Sequence, residues 1–252
     1  MSQSQIVIVT GGSRGIRPAT ARLLGRDKAA VVVNYRSAKA QADAVVRDIE
    51  ASGGQAIGVQ ADVGNEEDIL RLFAETDRAF GALTGLVNNA GVSGGLKRRI
   101  ENVKFETIME VMRVNVTGQL ICAREAVRRM STRNGGRGGA IVNVSSLGAL
   151  TGSPGAFIDY AASKGAVDTM TIGLAAEVVT SGIRVNAVRP GLIDTDIHDG
   201  IGIPDRVKRF GATMPIGRAG TAHEVAEAIV WLLSGKSAYV TGEFINVTGG
   251  AR

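Results

Sequence analysis

Along this chain, short unbroken apolar runs alternate with longer stretches in which apolar residues recur every three or four positions. The runs Ile6–Thr10, Ala30–Tyr35, Gln55–Ala61, Gly85–Asn88, Ala140–Ser145, Ile183–Val188 and Glu243–Val247 predict strands. Most are continuous Val and Ile, not apolar–polar alternations, as expected where a parallel sheet is covered on both faces. Between them, residues 38–52 predict a helix with Ala42, Val45, Val46 and Ile49 on one face, ended by the turn Ser52-Gly53-Gly54. Asn65 followed by Glu66, Glu67 and Asp68 places a cap and three carboxylates where the next helix dipole favours them. Regular strand–helix–strand succession predicts an α/β fold, a doubly wound parallel sheet with helices on both faces and right-handed crossovers. No linker, repeat or low-complexity segment interrupts the pattern, so residues 1–252 read as one domain. The segment 192–220 has Gly, Pro and charges without strand character, and it follows a strand's C-terminal end, where such sheets place their ligands.

Composition narrows the picture further. Hydrophobic residues make up 44%, enough for a large core, which excludes disorder as the main state. A single cysteine, Cys122, excludes a disulfide framework, and two histidines, His198 and His223, give no zinc-binding set; no metal site is expected. A net charge of +5 suits an anionic small ligand. The longest basic cluster, Lys97-Arg98-Arg99, has no interleaved aromatics, so no nucleic-acid partner is expected. No run approaches the roughly 18 apolar residues of a membrane helix. Gln5 passes directly into the first strand without a charged leader, and the expected setting is a reduced cytoplasm.

Candidate chemistry clusters at strand ends. The first strand runs into Thr10-Gly11-Gly12-Ser13-Arg14-Gly15-Ile16, where glycines let backbone N–H groups approach a pyrophosphate at a helix start. Asn88-Asn89-Ala90-Gly91 follows the fourth strand, Ser145-Ser146 the fifth, and Asn115 lies in a helical stretch. Tyr160 and Lys164 stand four apart on a predicted helix and share a face. An ammonium beside a phenol favours the phenolate, which makes tyrosine usable as an acid–base group near neutrality. Ser146 could hold the same substrate oxygen by a hydrogen bond.

These motifs, in this order over essentially the whole chain, resemble the short-chain dehydrogenase/reductase family of the Tyr-x-x-x-Lys type. The nearest branch is the glucose/ribitol dehydrogenase and 3-oxoacyl-carrier-protein reductase-like group. The resemblance implies a Rossmann-type sheet and hydride transfer between a nicotinamide and a carbonyl or alcohol. It implies Tyr160 as acid and base, Lys164 as the cation lowering its pKa and bonding the nicotinamide ribose, and Ser146 polarising the substrate oxygen. Asn115 would support a water-linked proton relay to Lys164. Asp62 and Val63 would flank the adenine and Asn89, Ala90 and Gly91 the adenine ribose. Pro190, Gly191, Ile193 and Thr195 would border the nicotinamide. A homotetramer is also implied, through the helical stretches 105–130 and 159–180 and the C-terminal residues 239–252.

Cofactor choice follows from the residues themselves. An NAD site often ends its second strand in a carboxylate for the ribose 2′-OH. Here Asn34-Tyr35-Arg36-Ser37 has none, and Arg14 lies in the glycine loop. Guanidinium groups and a hydroxyl suit a 2′-phosphate, so NADP(H) is expected over NAD(H). Two departures stand out. Arg17-Pro18 replaces the third loop glycine and its neighbour, so the arginine either swings out beside the phosphates or impairs cofactor binding. In the second case the chain would be a cofactor-binding sensor or scaffold without turnover. Ser146 precedes Tyr160 by one residue more than the commonest family spacing, and the loop 152–159 is expected to absorb it. The substrate itself is not legible; segments 93–100 and 192–220, with Ile197, His198 and Phe210, would line its pocket.

Overall fold

The structure is a computed structural model and describes residues 5–12, 15–195 and 205–252. Its strands are β1 (Ile6–Val9), β2 (Ala30–Tyr35), β3 (Gln55–Gln60), β4 (Gly85–Asn88), β5 (Gly139–Val144), β6 (Ile183–Pro190), β7 (Ile193–Asp194), β8 (Gly220–Thr221) and β9 (Phe244–Val247). Its helices are α1 (Ile16–Arg26), α2 (Lys39–Ala51), α3 (Glu66–Phe80), α4 (Phe105–Met112), α5 (Gly118–Met130), α6 (Gly148–Thr151), α7 (Ile158–Val178), α8 (Arg206–Gly211) and α9 (Ala222–Leu233).

Seven strands form one sheet in the order β3-β2-β1-β4-β5-β6-β9, every neighbouring pair parallel. Successive strand residues point to opposite faces, which explains the unbroken apolar runs. Ile6, Ile8 and Ile141 pack under α3, α5 and α7 against Leu72, Phe73, Met130 and Val178. Val7, Val9 and Val142 pack on the other face against Leu24 of α1, Ile49 of α2 and Ile229 of α9. Strand order reverses between β1 and β4, and the loops after those two strands diverge there into the crevice typical of such sheets.

The expected caps are present. The Asn65 side chain accepts from the Asp68 N–H at the start of α3, and Gly53 takes a positive φ after α2. One expectation needs correction. Segment 192–220 was expected to lack strand character, yet β7 and β8 pair in parallel, with the Gly220 N–H donating to the Leu192 carbonyl at 2.9 Å. Two-residue strands are too short to leave a periodic signal.

Candidate active site

The ends of β1, β4, β5 and β6 and the helices α1, α5 and α7 build the site. After β1, Gly11 and Gly15 both hold positive φ, near 65°, a conformation closed to most L residues. α1 then starts with no side-chain cap and no acidic residue in its first turn, leaving its N–H groups and positive dipole end open. The Thr10 hydroxyl accepts from the backbone N–H groups of Asn89 and Ala90 at 2.9 and 3.0 Å and donates to the Val87 carbonyl. It thereby fixes the two loops side by side. The Gln119 amide donates to the Ala90 carbonyl from α5, and the buried Asn89 Nδ2 has no partner among the described residues.

The catalytic candidates converge beside this cradle. Lys164 is buried and donates from Nζ to the Val144 carbonyl at 2.6 Å. Its Nζ lies 5.7 Å from the centroid of the Tyr160 ring, as the four-residue spacing requires. Burial, and then the charge of Arg17, push the Lys164 ammonium down to about 8, while Asp168 acts the other way. The Tyr160 phenol is raised above its ordinary value because burial outweighs its hydrogen bond to Ser146 and the charges of Arg17 and Arg206. In the free protein, therefore, desolvation outweighs the lowering by Arg17 and Arg206, and the lowering expected from Lys164 is not seen.

The structure also separates the two serines. Ser146 lies on the Tyr160 side, where it lowers the phenol's pKa, and its Oγ accepts from the Gly148 N–H. Ser145 Oγ is buried and donates to the Lys164 carbonyl, anchoring α7. Between Ser146 and Tyr160 the chain makes a turn after α6, where Gly152, Ser153 and Gly155 all have positive φ.

Asn115 sits in a π-helical turn, Arg113–Thr117, between α4 and α5. Single π turns interrupt helices most often at functional sites. Its side chain is fully engaged: Oδ1 accepts from the Val92 N–H, while Nδ2 donates to the Val92 carbonyl and Ser163 Oγ. A Cβ added at Gly91 would come within 3.2 Å of Asn115 Oδ1 and 3.6 Å of Lys164 Nζ, so the Gly91 backbone lies close to both groups.

The remaining expected contacts are arranged as follows. Gly191 donates to the Val247 carbonyl, and the Pro190 carbonyl accepts from Leu147, tying the end of β6 to the serine segment. Ile193 is buried, and Thr195 is the nearest group to Gly15, which brings this segment onto the glycine loop. Asn34 is spent on scaffolding: Oδ1 accepts from the Gly11 N–H at 2.8 Å, and Nδ2 donates to the Ala61 carbonyl. Tyr35 is buried with its ring beside Gly58. Arg36 is exposed and pairs with Glu110 at 3.5 Å. Glu110 in turn holds Arg113, which also reaches Asp62. Val63 is buried, and Ser37 is exposed in the turn after β2. Ile16 opens α1. Ser13, Arg14, Ile197 and His198 lie outside the described residues.

Sequence reasoning missed the polar stack beneath the site. Asn88 donates to Asn143, and Asn143 donates to Thr171, all buried. Asn143 is a polar residue inside an apolar strand, and that interruption was the available signal.

The position of Arg17 bears on the open alternative. Its side chain turns inward, and Nη1 donates to the Gly11 carbonyl at 2.8 Å, over the ground beside Ala90. Pro18 is the third residue of α1, where no intrahelical N–H bond is lost. The open helix start, the glycine cradle and the unpartnered Asn89 amide fit a dinucleotide, whose phosphates need backbone donors. The guanidinium over Gly11 is the far end of a flexible chain and can move aside.

Comparison with known proteins agrees with this architecture. The family described as Enoyl-(Acyl carrier protein) reductase matches residues 11–252. The chain is 51% identical to an uncharacterized oxidoreductase of Escherichia coli, YgfF, over 97% of this chain and 99% of that protein. It is 37% identical to a 3-oxoacyl-[acyl-carrier-protein] reductase of Synechocystis, over 98% and 96% of the two chains. A crystal structure of the 3-ketoacyl-(acyl-carrier-protein) reductase from Brucella melitensis complexed with NADH superposes with a TM-score of 0.90 at 29% identity, over 99% of each chain. A doubly wound sheet carrying an oxidoreductase site is thus the class, and the chain belongs to the short-chain dehydrogenase/reductase family, in its 3-oxoacyl-carrier-protein reductase-like branch.

Proposed function

We propose that this oxidoreductase is NADP(H)-dependent and interconverts a small-molecule carbonyl compound and its alcohol, with Tyr160 as the acid–base group. The observation that carries the reading is the buried Lys164 ammonium one turn along from Tyr160, 5.7 Å from its ring centroid, with Ser146 lowering the phenol's pKa beside it. When bound, the nicotinamide supplies or accepts the hydride. Ser146 and Tyr160 hold the substrate oxygen, and Tyr160 gives that oxygen a proton during reduction or removes it during oxidation. Lys164, seated on the Val144 carbonyl, supports the phenolate left behind. Asn115, whose side chain clamps Val92, supports proton return to Lys164 through water.

Gly11, Gly15, Ile16, Asn89, Ala90 and Gly91 would hold the dinucleotide, with Asp62 and Val63 toward the adenine and Pro190, Gly191, Ile193 and Thr195 toward the nicotinamide. Arg36 supports the NADP(H) assignment. Its exposed ion pair with Glu110 is worth no more than about 1 kcal/mol, so the guanidinium is available to a 2′-phosphate. Exposed Phe105, Met109, Leu120 and Ile172 support the homotetramer. Among the described residues no helix is long and apolar enough to cross a membrane; the cytoplasmic setting belongs to the same reading.

The test is NADPH oxidation against a broad carbonyl panel. Tyr160→Phe should abolish turnover by about 100-fold or more while leaving NADPH affinity within a few-fold. The second reading is a binding protein without turnover, prompted by Arg17 in place of the third loop glycine. NADPH binding with no carbonyl reduced by the intact chain would decide for that reading.

A further inference from the structure

The segment that follows β4 is tied to α7 at two points, one on either side of Tyr160. One tie runs through Asn115, which holds both backbone groups of Val92 and donates to Ser163 Oγ at 3.0 Å. Ser163 Oγ in turn donates to the Tyr160 carbonyl at 2.6 Å. The other tie uses groups that the proton-transfer chemistry leaves idle. Arg98 reaches Asp159, the residue immediately before Tyr160, and its Nη2 pairs with Oδ2. The same guanidinium donates to the Leu96 carbonyl at 2.9 Å and the Ser93 carbonyl at 3.3 Å, and the Arg98 N–H donates to the Ala156 carbonyl at 2.9 Å. Gly94, at φ +77, closes over this arrangement: a Cβ there would run into Arg98 Nη2 and, at 2.8 and 3.1 Å, into Thr107 and Val111 of α4.

Both side chains of the pair are buried, yet they are incompletely bonded. Arg98 Nε and Asp159 Oδ1 have no hydrogen-bond partner among the described residues. A buried ion pair of this kind adds little stability over apolar residues of similar volume, because desolvation offsets the attraction. What it does supply is one defined geometry. Asp159 and Tyr160 are consecutive in the first turn of α7, so fixing the Asp159 carboxylate fixes the rotation of that turn, and the phenol's backbone with it.

We propose that the Arg98–Asp159 pair positions Tyr160 against segment 93–100, setting the phenol's distance to the substrate oxygen, and acts on turnover and not on cofactor binding. The proposal deepens the reductase reading and rests on it. Both residues act through Tyr160 and are positioning residues.

The test compares the intact chain with Arg98→Met/Asp159→Leu and with Arg98→Lys, on the carbonyl that the intact chain reduces fastest. The double variant should fold, bind NADPH within about twofold of the parent, and lose kcat by about 10- to 100-fold with KM within about threefold, the effect of ångström-scale misplacement. Arg98→Lys keeps a cation on Asp159 and should hold kcat within about threefold of the parent. Asp159→Asn keeps the shape and serves if the double variant does not fold; its kcat should fall about 5-fold at unchanged KM. A folded variant with kcat unchanged, a loss carried by KM alone, or Arg98→Lys falling as far as the double variant would overturn the proposal. If the intact chain reduces no carbonyl, the reductase reading fails, and near-ultraviolet phenolate absorbance, read as the difference from Tyr160→Phe, still decides on positioning. The charged groups around the phenol, Lys164, Arg17 and Arg206, are kept, and the removed pair is neutral as a whole. A phenol released from its buried seat should therefore titrate about half a unit or more lower in the folded variant, and an unmoved titration would overturn the proposal.

Discussion

Removing the Asp159 carboxylate should destabilise this protein severely, and the reason is local. Asp159 sits in the first turn of α7, immediately before Tyr160, with its side chain 3% exposed. It pairs with Arg98, 11% exposed, which reaches in from the segment after β4. Arg98 also donates to the Leu96 and Ser93 carbonyls, and its backbone N–H donates to Ala156 at 2.9 Å. Asp159→Ala leaves that guanidinium buried without a counter-charge, at a cost of about 3–5 kcal/mol. For a chain of this length each kcal/mol lowers Tm by about 2–4 °C, so a drop of roughly 6–20 °C is expected. The double variant Arg98→Met/Asp159→Leu removes both charges and should regain most of the loss, because an apolar replacement carries no desolvation penalty. Thermal and urea unfolding of the two variants and the parent measure this directly. A fall in Tm under 2 °C for Asp159→Ala, or a double variant less stable than the single one, would refute the reasoning.

Other expectations follow from single groups. Arg36→Ala should lower kcat/KM with NADPH by about 10- to 100-fold and leave NADH nearly untouched, the range of one lost charge-assisted bond; equal losses with both would contradict the 2′-phosphate role. Lys164 has a folded value of about 8 against 10.5 unfolded, so between those values the unfolded chain binds more protons. The free protein should therefore gain stability as pH rises from 8 to 10.5, by on the order of 3 kcal/mol from this group. Lys164→Met should flatten that rise in parallel denaturant titrations. Since the Arg17 charge depresses Lys164, Arg17→Gly should move the start of the rise to higher pH.

Much of this molecule is legible before any coordinates. Paired-face burial leaves unbroken Val and Ile runs, so β2 and β4 have the bounds that their runs predict. The bounds of the other strands move by one or two residues. Thr10 and Ser145 fall just past their strands' ends, where the Thr10 hydroxyl serves the Asn89 loop and the Ser145 hydroxyl the Lys164 carbonyl. The four-residue spacing alone brings Lys164 toward the Tyr160 ring. Which serine faces the phenol, by contrast, depends on how the chain leaves β5, and residue type cannot report that.

What the sequence determined by itself was periodic or local: strand and helix order, the caps at Asn65 and Gly53, and the shared face of Tyr160 and Lys164. What only the tertiary structure decided depends on groups distant in the chain. Asn34 looked like a cofactor residue and is a scaffold, because β3 supplies the carbonyl and the glycine loop the N–H that consume its amide. Arg17 lies inward over Gly11, and Arg98 is neutralised by a carboxylate 61 positions away. The physical reason is that hydrogen bonding and desolvation are set by three-dimensional surroundings, whereas periodicity is set by the backbone's own repeat.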